Sequence, residues 1–109
     1  MAQYLLVESK NPMEGGEYSF ELGTQLGKLR HNVTIYLVQD GVFAARKRFK
    51  TGEKLVSAAK AKKMTLLADE VSLRQRGITK GRLSKEVKVS SMDALVDLLM
   101  EKSDKAIWH

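Results

Sequence analysis

The sequence predicts an α/β fold: a three-layer α/β/α sandwich around a five-stranded, mainly parallel sheet. Two observations predict this fold. Short apolar runs alternate along the chain with segments of helical periodicity, and the connections between them are short. Strict alternation of this kind indicates parallel strands joined by right-handed crossovers, with helices on both faces. At 109 residues the chain is near the commonest domain size, so we expect one domain, residues 1–109.

Five segments have the composition of strands. The clearest is residues 33–38, Val-Thr-Ile-Tyr-Leu-Val, which is rich in β-branched and apolar residues, as buried strands are. In chain order the predicted strands are residues 4–7, 33–38, 64–69, 87–89 and 105–109. Compact apolar runs such as Tyr4-Leu5-Leu6-Val7 fit strands that are covered on both faces, as in a parallel sheet.

Four segments of helical character separate these strands. They cover roughly residues 16–30, 43–63, 70–78 and 91–102. Gly23 and Gly27 lie four residues apart on the first segment, which predicts that this helix approaches the sheet closely. The second segment is weakly patterned, and we expect a break near Thr51-Gly52.

The last predicted helix is strongly amphipathic. Ser90 or Ser91 is a suitable N-cap, and Asp93 early in the helix favours its dipole. Its apolar positions are Met92, Leu95, Val96 and Leu99. This spacing predicts a helix that packs one face against the domain.

The composition excludes several kinds of site. The chain has no cysteine, which rules out disulfides, thiolate metal sites and a cysteine nucleophile. With two histidines, His31 and His109, a histidine metal cluster is not expected, and no metal or cofactor is predicted. No Ser/His/Asp set is evident, because His109 is terminal and His31 ends a helix. The absence of a long apolar run or an N-terminal leader predicts a cytoplasmic protein without membrane contact.

The chain is basic, with 19 Lys and Arg against 13 Asp and Glu, a formal net charge of +6. Residues 43–63 carry eight of the cations and one acid, Glu53. The basic face is Arg46, Lys47, Arg48 and Lys50. Such a run is either a solvated helix face or a surface that binds anions or a partner. Nucleic acid is disfavoured as the partner, because few aromatic side chains are interleaved with the cations.

Polar side chains follow the predicted strands, at the edge where ligands of α/β proteins bind. Asp69 ends the third strand and is the first candidate, while Asp40 either lines a cleft or only bonds its own turn. The candidate pocket is Glu8, Asp40, Asp69, Ser72, Arg74 and Arg76. These residue types would suit a small-molecule anion site or a cryptic hydrolytic site, with an arginine to bind the charge.

Common nucleotide sites are not supported. A flavodoxin-type flavin site needs a phosphate-binding loop after the first strand, whereas Glu14 and Glu17 in that loop would repel a phosphate. The sequence also lacks the glycine-rich G-x-x-x-x-G-K-[ST] and G-x-G-x-x-G patterns.

Several short motifs occur in an order that carries a family resemblance. They are Tyr18-Ser19-Phe20 at a helix start, Asp40-Gly41-Val42 after strand two, Arg76-Gly77-Ile78 after strand three, and Met92-Asp93-Ala94-Leu95 in the last helix. In these features the chain resembles the DsrE/DsrF-like, TusD-related family of sulfur-relay proteins. The resemblance implies a compact α/β/α domain that forms trimers or hexamers, sometimes with related subunits.

The same resemblance implies a position for the chemistry. Active relay members carry sulfur as a persulfide on a cysteine near the end of strand three, which corresponds to Asp69 here, or to Ala68 if the loop differs by one residue. A carboxylate cannot hold persulfide sulfur, because that chemistry needs a thiolate. We therefore expect a non-catalytic, homo-oligomeric family member that binds a sulfur-relay partner or a small anion. The alternatives are the anion or hydrolytic site at the strand ends and a basic nucleic-acid-binding module.

Overall fold

In a computed structural model that describes residues 1–109, strands and helices alternate along the whole chain. The elements are β1 (Gln3–Glu8), α1 (Tyr18–Lys28), β2 (Asn32–Leu37), α2 (Lys50–Ala61), β3 (Thr65–Asp69), α3 (Glu70–Gln75), β4 (Lys88–Ser90), α4 (Met92–Asp97) and β5 (Lys105–Trp108). Short 3₁₀ helices cover Pro12–Glu14, Gln39–Ala45 and Lys80–Arg82, and a π-helical turn, Leu98–Lys102, continues α4.

The five strands form one sheet in the order β4-β3-β2-β1-β5, and every pairing is parallel. The chain moves outward one strand at a time from β1 to β4 and then crosses the whole sheet to β5. The predicted α/β fold with a five-stranded sheet is therefore confirmed. This order places the carboxyl ends of β1, β2 and β3 side by side.

The two faces of the sheet are covered unequally. A cluster of 18 buried apolar residues lies beneath α1, α2 and α3, whereas a cluster of five lies beneath α4. Alternation along β1 produces this division, since Leu6 belongs to the larger cluster and Leu5 and Val7 to the smaller one. One short helix therefore covers the second face.

The break expected near Thr51-Gly52 is wrong, because both residues lie inside α2. The predicted helical segment 43–63 divides earlier, between the 3₁₀ helix Gln39–Ala45 and the start of α2 at Lys50. Gly52 has a packing role: a Cβ there would lie 2.5 Å from the carbonyl oxygen of Ala44. The glycine lets α2 contact that 3₁₀ helix at backbone distance.

The two glycines of α1 differ. A Cβ on Gly23 would lie 3.0 Å from Met64 Sδ and 3.2 Å from Val33 Cγ1, so the close approach expected there is confirmed. Gly27 faces open space, with no atom within 4 Å of a Cβ, and the same expectation is wrong for it.

The apolar face expected for the last helix is divided. Ser91 is its N-cap and accepts a hydrogen bond from Ala94 N at 3.2 Å. Leu95 is buried, but Met92 is 52% exposed and Val96 is 48% exposed. Half of the predicted stripe thus faces solvent. No helix of the chain is long and apolar enough to span a membrane.

Candidate functional site

Asp69 ends β3 and serves as the N-cap of α3. Its side chain is buried, and Oδ2 accepts hydrogen bonds from Ser72 N at 2.9 Å and from Ser72 Oγ at 2.8 Å. The other carboxylate oxygen, Oδ1, is buried and has no hydrogen-bond partner. Asp69 therefore stabilises the start of α3 through one carboxylate oxygen, while the other oxygen accepts no hydrogen bond.

Ser72 joins the ends of β2 and β3. Its hydroxyl donates to Asp69 and accepts from Gln39 N at 2.8 Å. Gln39 adopts a left-handed backbone conformation, with φ of 50°, where the chain leaves β2. The serine thus fixes the turn after β2 against the start of α3.

Arg76 pairs with Asp40 at the exposed margin of the same edge. Its Nε lies 2.9 Å from Asp40 Oδ1, and its Nη1 donates to the Ser72 carbonyl at 3.2 Å. The Asp40 carboxylate therefore neutralises the Arg76 guanidinium, which was predicted from the sequence to bind an anion. An exposed pair of this kind contributes about 0–1 kcal/mol of stability.

Tyr36 lies beneath this edge, on the face that α4 covers. Its buried hydroxyl donates to the Ser91 carbonyl at 2.7 Å. Burial raises the pKa of Tyr36 above its ordinary 10.0; the Ser90 side chain opposes the rise, and the nearby Asp69 and Glu70 carboxylates add to it. The phenol is therefore held neutral beside the buried acid.

Glu8 belongs to a separate polar cluster at the end of β1. Its carboxylate is buried and accepts hydrogen bonds from Ser19 Oγ at 2.7 Å, from Ser19 N at 3.3 Å and from Lys10 N at 3.0 Å. His109 Nδ1 lies 2.8 Å from Glu8 Oε1, and the His109 ring packs on Tyr18 with centroids 4.5 Å apart.

The contact of His109 with the Glu8 carboxylate was not predicted from the sequence. Glu8 and His109 are 101 positions apart and meet because β5 pairs with β1. A carboxylate that holds an imidazole at Nδ1 is the arrangement that orients catalytic histidines. Ser9 Oγ, however, donates to the main-chain carbonyl of His109 at 2.8 Å rather than to the ring. The Glu8–His109 pair could have been predicted if the pairing of β5 with β1 had been known.

The six predicted pocket residues therefore lie in three places. Asp69, Ser72, Asp40 and Arg76 form one connected group after β2 and β3. Glu8 lies with His109 at the ends of β1 and β5. Arg74 lines a cavity beside α3 and β4. No group of three or more His, Asp or Glu side chains is arranged to hold a metal ion. Whether these residues bind a ligand stays a prediction.

The fold also joins two basic stretches that are distant in sequence. Arg46 and Leu83 form an antiparallel bridge, Lys47 N donates to the Arg82 carbonyl at 2.8 Å, and Ser84 N donates to the Ala45 carbonyl at 2.7 Å. Two neighbouring cavities of about 790 Å³ and 510 Å³ open along this junction and share Lys47. We name them together the basic cleft.

The basic cleft has an apolar floor and a cationic rim. The floor is Leu73, Ile78, Leu83, Val87 and Val89. The rim of the larger cavity is Lys47, Arg74, Lys80, Lys85 and Lys88, with Glu70 as its one acid. Arg46, Lys47, Arg48, Gly81 and Arg82 line the smaller cavity. Of the predicted basic face, Lys50 lies apart, in a shallow depression on α2.

Comparison with known protein families identifies the chain. A family model described as "DsrH like protein" matches residues 18–105, which is most of the sequence. The chain belongs to the DsrH-like family. The predicted relationship to sulfur-relay proteins is thereby confirmed, with a match to the DsrH-like model. No curated protein matches the sequence.

Solved structures share the fold of this DsrH-like chain. The YchN protein from E. coli superposes with a TM-score of 0.83 at 18% sequence identity, and the match covers 100% of both chains. A protein of unknown function from Methanobacterium thermoautotrophicum, MTH1491, gives a TM-score of 0.79 at 16% identity, again over 100% of both chains. At these identities the likeness establishes the fold.

Proposed function

We propose that this DsrH-like chain is a non-catalytic subunit of an oligomeric sulfur-relay assembly. In this role it supplies protein-contact surfaces and carries no sulfur itself. Its family is implicated in sulfur relay, which supports the setting. The single observation that carries the proposal is the residue at the end of β3, where the family resemblance implies a cysteine and this chain has Asp69.

The environment of Asp69 supports a structural role for this residue. Persulfide transfer needs a thiolate that can attack a sulfur donor and later release the sulfur. The Asp69 carboxylate is buried, and one of its oxygens caps α3 through two hydrogen bonds from Ser72. Because the chain contains no cysteine, covalent sulfur transfer would have to take place on another subunit.

Exposed apolar side chains support a role in assembly. Met100 is 78% exposed and Trp108 is 60% exposed, and Met92 and Val96 on α4 are about half exposed. Single exposed apolar residues are common on monomeric proteins, but Met92, Val96 and Met100 recur every four residues along one helical segment, which is typical of a contact surface.

The test is the intact mass of the chain after incubation with a small-molecule persulfide donor. We expect no added sulfur on the natural sequence, because no thiol is present to accept it. A Lys54→Cys variant, which places a thiol on an exposed position of α2, is the matched control and should gain sulfur. A stable sulfur adduct on the natural chain would overturn the proposal.

A further inference from the structure

We propose that the basic cleft of one copy receives the outer face of α4 from a second copy of this chain. This inference names a partner and two surfaces for the assembly invoked above, and it rests on the proposed function only in requiring an assembly. Sulfur chemistry has no part in it.

The first surface, the basic cleft, carries positive charge that the chain itself does not neutralise. The acids within ion-pair distance of a basic side chain are Asp40, which contacts Arg76, and Glu8, which contacts His109, so no cation of the cleft has an acidic partner. Beneath the rim lies the apolar floor, where Val89 at the sheet edge is 51% exposed. Such a surface is complementary to a partner that presents acidic and apolar side chains together.

The second surface, the outer face of α4, has that composition. Residues four apart lie along one line of a helix, and two neighbouring lines are exposed here. The apolar line is Met92, Val96 and Met100, and the acidic line is Asp93, Asp97 and Glu101. The π-helical turn Leu98–Lys102 carries both lines to their last members. None of these acids forms an ion pair within the chain.

The two surfaces match in chemistry and lie on opposite sides of the sheet. Leu73, Ile78, Leu83 and Val87 of the cleft floor belong to the larger core cluster, whereas Leu95 of α4 belongs to the smaller one. The α4 of a chain therefore cannot cover its own cleft, and the contact has to form between copies. Each copy presents both surfaces, which permits a head-to-tail contact that closes into a ring.

The cleft favours this occupant over a single-stranded nucleic acid. Such ligands usually stack bases on aromatic side chains, and neither cavity of the cleft is lined by an aromatic residue. A bound nucleic acid would also leave the apolar line of α4 exposed. A second copy covers the cationic rim, the apolar floor and the α4 line in one contact.

Charge reversal tests the contact by sedimentation velocity over a range of concentrations. Lys80→Glu with Lys85→Glu reverses two charges on the cleft rim, and Asp93→Lys with Asp97→Lys reverses two charges on α4. All four side chains are exposed, and thermal unfolding checks that each variant folds. We expect either reversal alone to weaken self-association at least about tenfold, and the combination of both reversals in one chain to restore it.

Lys50→Glu with Lys54→Glu on α2 is the control, because it makes the same change in net charge outside the cleft, and it should leave association unchanged. A natural chain that stays monomeric would overturn the proposal. So would an oligomer that neither reversal weakens, or a combined variant that does not recover, and the cleft would then be free for another partner. None of these results concerns sulfur, so they are distinct from a sulfur adduct, which would overturn the non-catalytic role.

Discussion

Asp69 is a buried acid whose two oxygens differ in their environment. Oδ2 accepts two hydrogen bonds from Ser72, whereas Oδ1 has none. A buried polar atom without a partner costs on the order of 1–3 kcal/mol, and the helix cap recovers about 1 kcal/mol of this. Tyr36 is buried beneath the same edge of the sheet, and there burial favours the neutral form of its phenol.

Tyr36 gives this environment a measurable pH dependence. Because burial raises its pKa above 10.0, the folded chain holds the phenolic proton more tightly than the unfolded chain does. The resulting stabilisation is complete below about pH 10 and is lost as the pH rises from there toward the folded-state pKa. We expect the free energy of unfolding to fall more steeply above about pH 10 in the natural chain than in Tyr36→Phe.

Urea unfolding at several pH values between about 8 and 11 measures this difference. At neutral pH the Tyr36→Phe variant should be about 1 kcal/mol less stable, because it loses the hydrogen bond to the Ser91 carbonyl. Parallel stability profiles for the two proteins would show that Tyr36 is not the group responsible.

Secondary-structure elements followed from local sequence patterns more readily than their contacts did. All five strands were predicted. The inner strands β1, β2 and β3 are continuous apolar runs, as buried parallel strands are, whereas the edge strands β4 and β5 are short and largely exposed. The 3₁₀ helix Gln39–Ala45 and the start of α2 were not predicted, and neither was the backbone contact of Gly52 with Ala44 that packs these two elements together. That contact is tertiary and leaves no periodic signal.

The glycines of α2 and α1 test this packing. Gly52→Ala should lower the free energy of unfolding by roughly 1–3 kcal/mol despite the better helix propensity of alanine, because the new Cβ would meet backbone atoms of Ala44. Gly27→Ala, whose Cβ would meet nothing within 4 Å, should raise it by up to about 1 kcal/mol. Chemical denaturation measures both, and equal stabilisation by the two substitutions would exclude the proposed close contact.

The candidate site was predictable only in part, because some of its contacts are tertiary and leave no pattern in the sequence. Asp69, Ser72, Asp40 and Arg76 follow two strands that proved to be neighbours, so the rule that strand ends converge was enough to group them. The Glu8–His109 pair required the position of β5 in the sheet. The basic cleft required the backbone pairing of residues 45–47 with residues 82–84. Neither arrangement can be read from spacing along the chain.

The whole molecule is asymmetric in both packing and charge. Three helices cover one face of the sheet, and one short helix with an acidic outer face covers the other. The cations of the larger cavity of the basic cleft lie beside α3 and β4, on the well-covered side. A monomer would leave both surfaces exposed to solvent, whereas an assembly of copies can bring them together. Charge complementarity of this type gives orientation and specificity to an interface.

Native mass spectrometry after treatment with a persulfide donor shows in one measurement whether this chain assembles and whether it carries sulfur. We predict an assembly whose mass is an integer multiple of the chain mass, greater than one, with no sulfur added. A monomer, or a chain of natural sequence that retains added sulfur, would contradict the proposed role as a non-catalytic subunit.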